Sequence, residues 1–553
     1  MANHFAGIPF ALVRPDSARR GARALSISIS YTVALGTAFL CALLATPWVR
    51  ATAIRRGWLD NAHSSRKVHG RPTPRVGGLA IAVAFYVPLI GLLLTQNSFA
   101  PLLRQSAMQT FGLFLGGLMA LGLGFWDDLR GSTAFSKLGG QIAIAGVMWV
   151  CGYQVHAIRL LDSDPIPLGW LALPITVLWF VGVINALNLI DGLDGLAAGI
   201  ALFAILPLLV VAVLAGKAML ILTMVTLVGA LLGFLVFNFH PASIFMGDSG
   251  SHLLGLVLAA AAIASNQKNQ AAVAVLVPLL ALGVPILDTL LVVLRRRARG
   301  LPLMSADRGH LHHRLMHLGL SHRDAVLTLY LLASAFTALA LLANVDGRLS
   351  TTLALVLSGV VVFLVVHRSR YAREVLGPHM PQTRRRNREF HRSLKGLSTE
   401  IPAPGSLRAI QHQLGRAVAE LPIRHLELEL ADGLAAVRRI PLTAPVSPSR
   451  QPGDRLVRWT REIRVSGETI GQLIAVLEPS VDPGDDLFGA REHDPGEHYI
   501  LLERLCDALE RGVQRIQVQS ECADHELPGV VRQTLTFEAP AAAVRMGRSP
   551  AAP

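Results

Sequence analysis

Charge is what this chain has least of. Asp, Glu, Lys and Arg supply 16% of its 553 residues and apolar types 52%, so most of its length cannot clothe a water-soluble globule. Cysteine is nearly missing. Cys41, Cys151, Cys506 and Cys522 have neither ligand nor bridge spacing, which excludes a cysteine-bound metal cluster and a disulfide scaffold and leaves reduced thiols. Aromatics reach 6% and are not interleaved with the basic residues. The excess of 51 Lys and Arg over 37 Asp and Glu, a net charge of +14, therefore speaks for membrane topology and against a nucleic-acid surface.

What the chain has in quantity is long apolar runs. They follow one another from Ile27 to Val366, several long enough to cross a bilayer, with about eleven spans centred near residues 38, 85, 116, 147, 178, 205, 227, 257, 282, 334 and 358. After His367 the sequence turns charged and Pro/Gly-punctuated. The expected architecture is an all-α polytopic membrane bundle of about eleven transmembrane helices followed by a C-terminal soluble α+β domain. Its parts are an N-terminal arm (1–26), the membrane domain (27–366), a basic linker (367–403), the soluble domain (404–520) and a disordered tail (521–553).

Loop charges orient the bundle. Arg50, Arg55, Arg56, Arg66, Lys67, Arg71 and Arg75 share one side with Arg130, Lys137, the Arg295–Arg299 cluster, Arg308, Arg314, Arg323 and the tail. The alternate loops carry only Arg104, Arg159, Lys217, Lys268 and Arg348. The positive-inside rule assigns the basic side to the cytoplasm. Arg14, Arg19, Arg20 and Arg23 precede the first span against that rule. Either the start is set too early or the arm crosses against its charge; it makes a poor secretory signal.

With this topology every polar cluster falls on the cytoplasmic face. Asp127 and Asp128 end one apolar run in GFWDDLRG. Asn185, Asn188, Asp191 and Asp194 end another in NALNLIDGLDG, and Asn238, His240 and Asp248 lie in FNFHPASIFMGDSGS. Carboxylates at a membrane edge are costly and functional by default. Residues three apart on a helix are neighbours, so Asn185, Asn188 and Asp191 form one polar strip, and Gly192 and Gly195 open the backbone to a ligand. Asparagines acting as interhelical glue are the plain alternative; two Asn, two Asp and flanking glycines argue for function. The Asp127–Asp128 pair repels itself unless a proton or cation lies between, and Mg²⁺ takes such oxygen ligands together with substrate phosphates. GDSGS supplies a helix start suited to phosphate; a serine protease is rejected, because no His/Asp partners accompany it. HLHH at His310–His313 has zinc-like spacing, but Asp307, Arg308 and Arg314 beside it suit an anion-binding loop better.

Together these segments resemble the polyprenyl-phosphate N-acetylhexosamine-1-phosphate transferases: RKVHGRPTPRVGGLAI (Arg66 to Ile81), GFWDDLRG, NALNLIDGLDGLAAG, FNFHPASIFMGDSGS and DRGHLHHRL. The likeness covers roughly Ile27 to Val366, and the histidine segment is similar to the UDP-GlcNAc-using branch. It implies a bacterial inner-membrane enzyme in which undecaprenyl phosphate attacks the sugar-linked phosphorus of a UDP-N-acetylhexosamine and UMP leaves. It also implies Mg²⁺ as cofactor, with Mn²⁺ as an alternative. By this resemblance Asp127 is base or positioner for the lipid phosphate, with Asp128 beside it. Asp248 is the first metal ligand, aided by Asp191 or Asp194, which also belong to the catalytic set. Asn188 contacts nucleotide or metal-bound water, with Asn185 in the same strip, and Phe245 stacks on uracil. Arg308, His310, His312 and His313 hold substrate phosphates or sugar. A lipid phosphate is already ionised near neutral pH, so the base role of Asp127 is the least required. Membrane lipids are expected partners and nucleic acid is not; a homodimer and a protein partner for the tail stay open. The rival class is a transporter for an anionic solute, whose polar groups belong near the bilayer midplane; Asp288 alone reads as that deep.

In the tail, HLELELAD and RLVRWTREIRVS alternate as strands, and GETIGQLIAVLEP reads as a strand hairpin. LRAIQHQLGRAVAEL and YILLERLCDALERGVQRIQ have helical spacing. The order resembles a GAF-type sensor domain and carries no catalytic cluster.

Overall fold

The computed structural model describes residues 15–60, 73–95, 106–158, 166–266, 276–301, 309–345 and 348–368, Tyr371 with a few positions beyond it, and strands between 423 and 477. Two compact units emerge: Met1–Arg295 with Arg308–Val375, and Arg296–Asp307 with Leu376–Pro553.

The first unit is helical. Its helices are α1 (Pro15–Arg56), α2 (Gly78–Leu94), α3 (Ala107–Arg130), α4 (Ala134–Val150), α5 (Ala172–Ile190), α6 (Leu196–Leu214), α7 (Ala218–Asn238), α8 (Gly247–Asn266), α9 (Leu276–Ala281), α10 (Gly283–Arg299), α11 (Leu311–His317), α12 (His322–Ala343) and α13 (Arg348–Arg368). Part of the expected N-terminal arm is thus helix, continuous with α1. Among the described residues, eight helices are long and apolar enough to cross a membrane. Each of the eleven expected centres falls on or beside a helix, but three are shorter: α2 and α4 have 17 residues each, and near 282 the run is broken into α9 and α10. Apolar composition alone does not reveal such a break, because Leu282 and Gly283 continue the hydrophobic run.

The core is organised around α8. Small residues fill it, and 94% of its span is buried, against 22% for α1 and 11% for α13. It is the central post, and α1 and α13 face outward with exposed Leu40, Leu44, Leu353 and Phe363, as a lipid-facing surface requires. Close approach depends on absent side chains. A Cβ on Gly78 would fall on the backbone of Ser249–Gly250, and one on Gly124 on the backbone of Asp248–Ser249, so α2 and α3 lie directly against the start of α8.

In the second unit the described strands are β5 (Ile423–Ala431), β6 (Val437–Pro441), β7 (Val457–Val465) and β8 (Glu468–Leu477), numbered after two short pairs, β1–β2 (59–60 with 73–74) and β3–β4 (157–158 with 166–167). They form an antiparallel sheet ordered β6-β5-β8-β7. HLELELAD and RLVRWTREIRVS are strands as expected. GETIGQLIAVLEP is not a hairpin: it is the single strand β8, paired on both edges, and its hairpin partner is β7. Gly471 sits within the ladder opposite Ile463, so the chain does not turn there. The two expected tail helices lie outside the described residues.

Candidate functional site

The site begins where α3 ends and α8 starts. Both carboxylate oxygens of Asp128 accept backbone N–H groups of α8, from Asp248 at 2.8 Å and Ser249 at 3.0 Å. A carboxylate on a helix N-terminus satisfies orphan donors and meets the positive end of the helix dipole. Gly247 makes this possible. Its φ is +73°, and a Cβ there would collide with the Asp128 carboxylate and the Arg75 carbonyl.

Two cations bind these acids together. Lys137, in the first turn of α4, reaches Asp127 Oδ2 at 2.6 Å and Asp248 Oδ2 at 2.7 Å. Arg75, just before α2, reaches Asp248 Oδ1 at 2.9 Å and Asp128 Oδ1 at 3.6 Å. Ser132 Oγ donates to Asp127. Three carboxylates thus share two cations, which offset their mutual repulsion. In the sequence Arg75 and Lys137 read only as loop charges. The available signal was a basic residue in the first turn of the helix that follows the Asp pair.

The polar strip on α5 feeds into this centre. Asn188 donates to Ser251 Oγ on α8 at 3.0 Å. Asn185 donates to Gln141 Oε1 at 2.6 Å, and Gln141 Nε2 lies 3.5 Å from His252 Nε2. Asp191 closes α5. Desolvation raises its pKa to about 7; Arg75 opposes this, and the charges of Asp248, Asp128 and Asp194 add to it.

Asp194 faces elsewhere, despite its place in the same motif. Its Oδ2 takes His240 Nδ1 at 2.8 Å and the Ala242 N–H at 3.0 Å, while its own N–H donates to His322 Nε2 at 3.1 Å. Gly195, with φ +75°, starts α6 directly after Asp194. Asp194 therefore ties three loops together. Asp194, His240 and His322 also have metal-ligand composition and proximity. Asp194 Oδ2, His240 Nδ1 and His322 Nε2 are engaged in these hydrogen bonds.

The histidine segment closes the site. His312 packs on Gly192, where a Cβ would strike its ring; it stacks on His310 at 5.6 Å, and the His313 ring lies tilted against it at 4.3 Å. Burial, with the neighbouring His313, His310 and His322, holds its pKa well below the ordinary histidine range. His310 is fixed by Asp288 on α10, the one acid that reads as deep in the sequence. Arg308 lies outside the described residues. Phe245 is partly buried, and its backbone bonds to Pro74 and Gly77, so it borders Arg75.

Buried polar atoms without a hydrogen-bond partner in this end of the bundle include Ser249 Oγ, His252 Nδ1 and His312 Nδ1. Such atoms mark a place built for more partners than the fold supplies. The acids at this end of the bundle, Asp127, Asp128, Asp191 and Asp248, offer the hard oxygen donors that Mg²⁺ takes.

Fold and site together define a multi-pass helical membrane protein with an acid-rich, cation-bridged centre at one end of its bundle. Residues 110–266 match the model of glycosyl transferase family 4. The chain is 35% identical over 316 residues to a probable undecaprenyl-phosphate N-acetylglucosaminyl 1-phosphate transferase of Bacillus subtilis, covering 57% of this chain and 84% of that protein. It is 36% identical over 320 residues to a decaprenyl-phosphate N-acetylglucosaminephosphotransferase of Mycolicibacterium smegmatis (53% and 77%). A phospho-N-acetylmuramoyl-pentapeptide-transferase of Shouchella clausii is 32% identical over 290 residues (50% and 84%). The chain belongs to the polyprenyl-phosphate N-acetylhexosamine-1-phosphate transferase family.

Proposed function

We propose that the protein transfers N-acetylhexosamine-1-phosphate, with GlcNAc the first choice of sugar, from a UDP-sugar to undecaprenyl phosphate, releasing UMP. This would be the first membrane step of a cell-surface glycan pathway, on the cytoplasmic face. The observation that carries it is the Asp127–Lys137–Asp248–Arg75–Asp128 cluster. Two anionic substrates must meet there, and both cations are held in reach of them by carboxylates on α3 and α8. Asp248 and Asp191 would hold a divalent ion, which when bound supplies charge against the pyrophosphate oxygens. Lys137 and Arg75 neutralise the phosphates and orient them, and Asp127 keeps Lys137 placed between the substrates. Asn188 and the histidine segment border the donor side. The transporter reading gains nothing from Asp288, whose carboxylate serves the histidine segment and not a midplane pocket.

The test is purified protein with undecaprenyl phosphate, Mg²⁺ and a panel of UDP-sugars. A lipid product heavier by one sugar phosphate, with matching UMP, is expected. Solute movement across sealed vesicles with no UMP release would sink the reading.

A further inference from the structure

Among the described residues the histidine segment has one short helix, α11, yet the rings of His310 and His312 are buried and stacked. Two residues outside every motif hold it. Asp288 is 1% exposed; its Oδ2 lies 2.9 Å from His310 Nδ1, and its Oδ1 accepts the Leu311 N–H at 2.7 Å. One carboxylate thereby fixes both the first histidine ring and the backbone at the start of α11. Tyr371, just beyond the end of α13 and 2% exposed, donates its hydroxyl to the Gly309 carbonyl, and the Arg314 guanidinium lies 3.7 Å above its ring. Arg314 Nε donates to the same Gly309 carbonyl at 3.2 Å. The segment is therefore gripped on both flanks of its buried histidines.

The geometry points to Asp288 and Tyr371 as positioning residues for donor binding: they fix His310 and the start of α11, and with them His312, which stacks on His310 and lies against Gly192. The inference rests on the transferase reading for its kinetics, but the clamp itself does not. A ring held by a buried carboxylate loses little further entropy on meeting an anionic ligand, so loosening it weakens that ligand selectively. The lipid phosphate, bound at the Asp127–Lys137 side, would not feel the change.

The experiment uses the full chain with Asp288→Asn and Tyr371→Phe, the second keeping the ring for Arg314. The UDP-sugar KM should rise about three- to tenfold in each, the scale of one lost hydrogen bond, with the undecaprenyl phosphate KM and the unfolding temperature unchanged. Hydrogen exchange over residues 309–317 should quicken in both, independently of any activity. Equal shifts in both KM values, or quicker exchange with an unchanged donor KM, would overturn the proposal. So would unchanged exchange. If wild-type protein releases no UMP from any UDP-sugar, the transferase reading has failed, and the exchange measurement alone decides the clamp.

Discussion

At the scale of single residues, the site is a problem of charge placed where water is scarce. Lys137 bridges carboxylates on two helices, so Lys137→Ala leaves Asp127 and Asp248 without their shared counter-charge. Transfer should fall by roughly 10²-fold or more, measured as UMP release, while a variant near wild-type rate would remove Lys137 from the centre. Asp191 offers a pH test. With its pKa raised to about 7, it is largely protonated below that pH and charged above it. A divalent ion bound by Asp191 must displace the proton, so apparent metal affinity should weaken as pH falls, by up to about tenfold per unit. Mg²⁺ activation curves at about pH 6 and about pH 8 make the comparison; identical half-saturation at both would exclude Asp191 as a ligand.

At the scale of elements, glycines set the distances between helices, and those distances set the site. Gly124 lets α3 lie on the first turn of α8, which keeps Asp128 on the N–H groups of Asp248 and Ser249. Gly124→Ala would push the two helices apart, costing about 1–3 kcal/mol by overpacking and most of the activity. Gly122, on the same helix, has open space around it, so Gly122→Ala should be nearly neutral. Thermal unfolding in detergent, read beside UMP release, tests the pair; equal behaviour of the two variants would refute the close-approach argument. The Asp194 tie works at this scale too, joining the turn after α5, the loop after α7 and the start of α12.

At the scale of the whole molecule, the pairings place the C-terminal ends of α3, α5 and α7 with the N-terminal ends of α4, α6, α8 and α12, so all face one aqueous side. Phe135 is 78% exposed, Leu318 55% and Trp170 83%. In a chain with its cysteines replaced by Ser, Phe135→Cys and Leu318→Cys should label from one side of sealed vesicles, and Trp170→Cys from the other. Labelling of Phe135→Cys and Leu318→Cys from opposite sides would separate the acidic centre from the histidine segment and end the shared-site reading.

Much of this was legible in the linear chain. Apolar runs are long because a bilayer rewards every residue of a span, and acids recur at their ends because a carboxylate deeper in a span needs a dedicated partner, as Asp288 has in His310. Segments such as GFWDDLRG and NALNLIDGLDG could therefore be picked out before any fold was known. Partner choice was not legible. That Asp194 meets His240 and His322 while Asp191 closes α5 depends on how the loop after α7 and the start of α12 come against the turn after α5. That Lys137, Arg75, Asp288 and Tyr371 serve the site depends on helices packing at glycine contacts. Composition and periodicity report what each stretch needs from its surroundings; which side chain meets it is decided only when distant stretches are brought within about 3 Å, the range over which hydrogen bonds and ion pairs act.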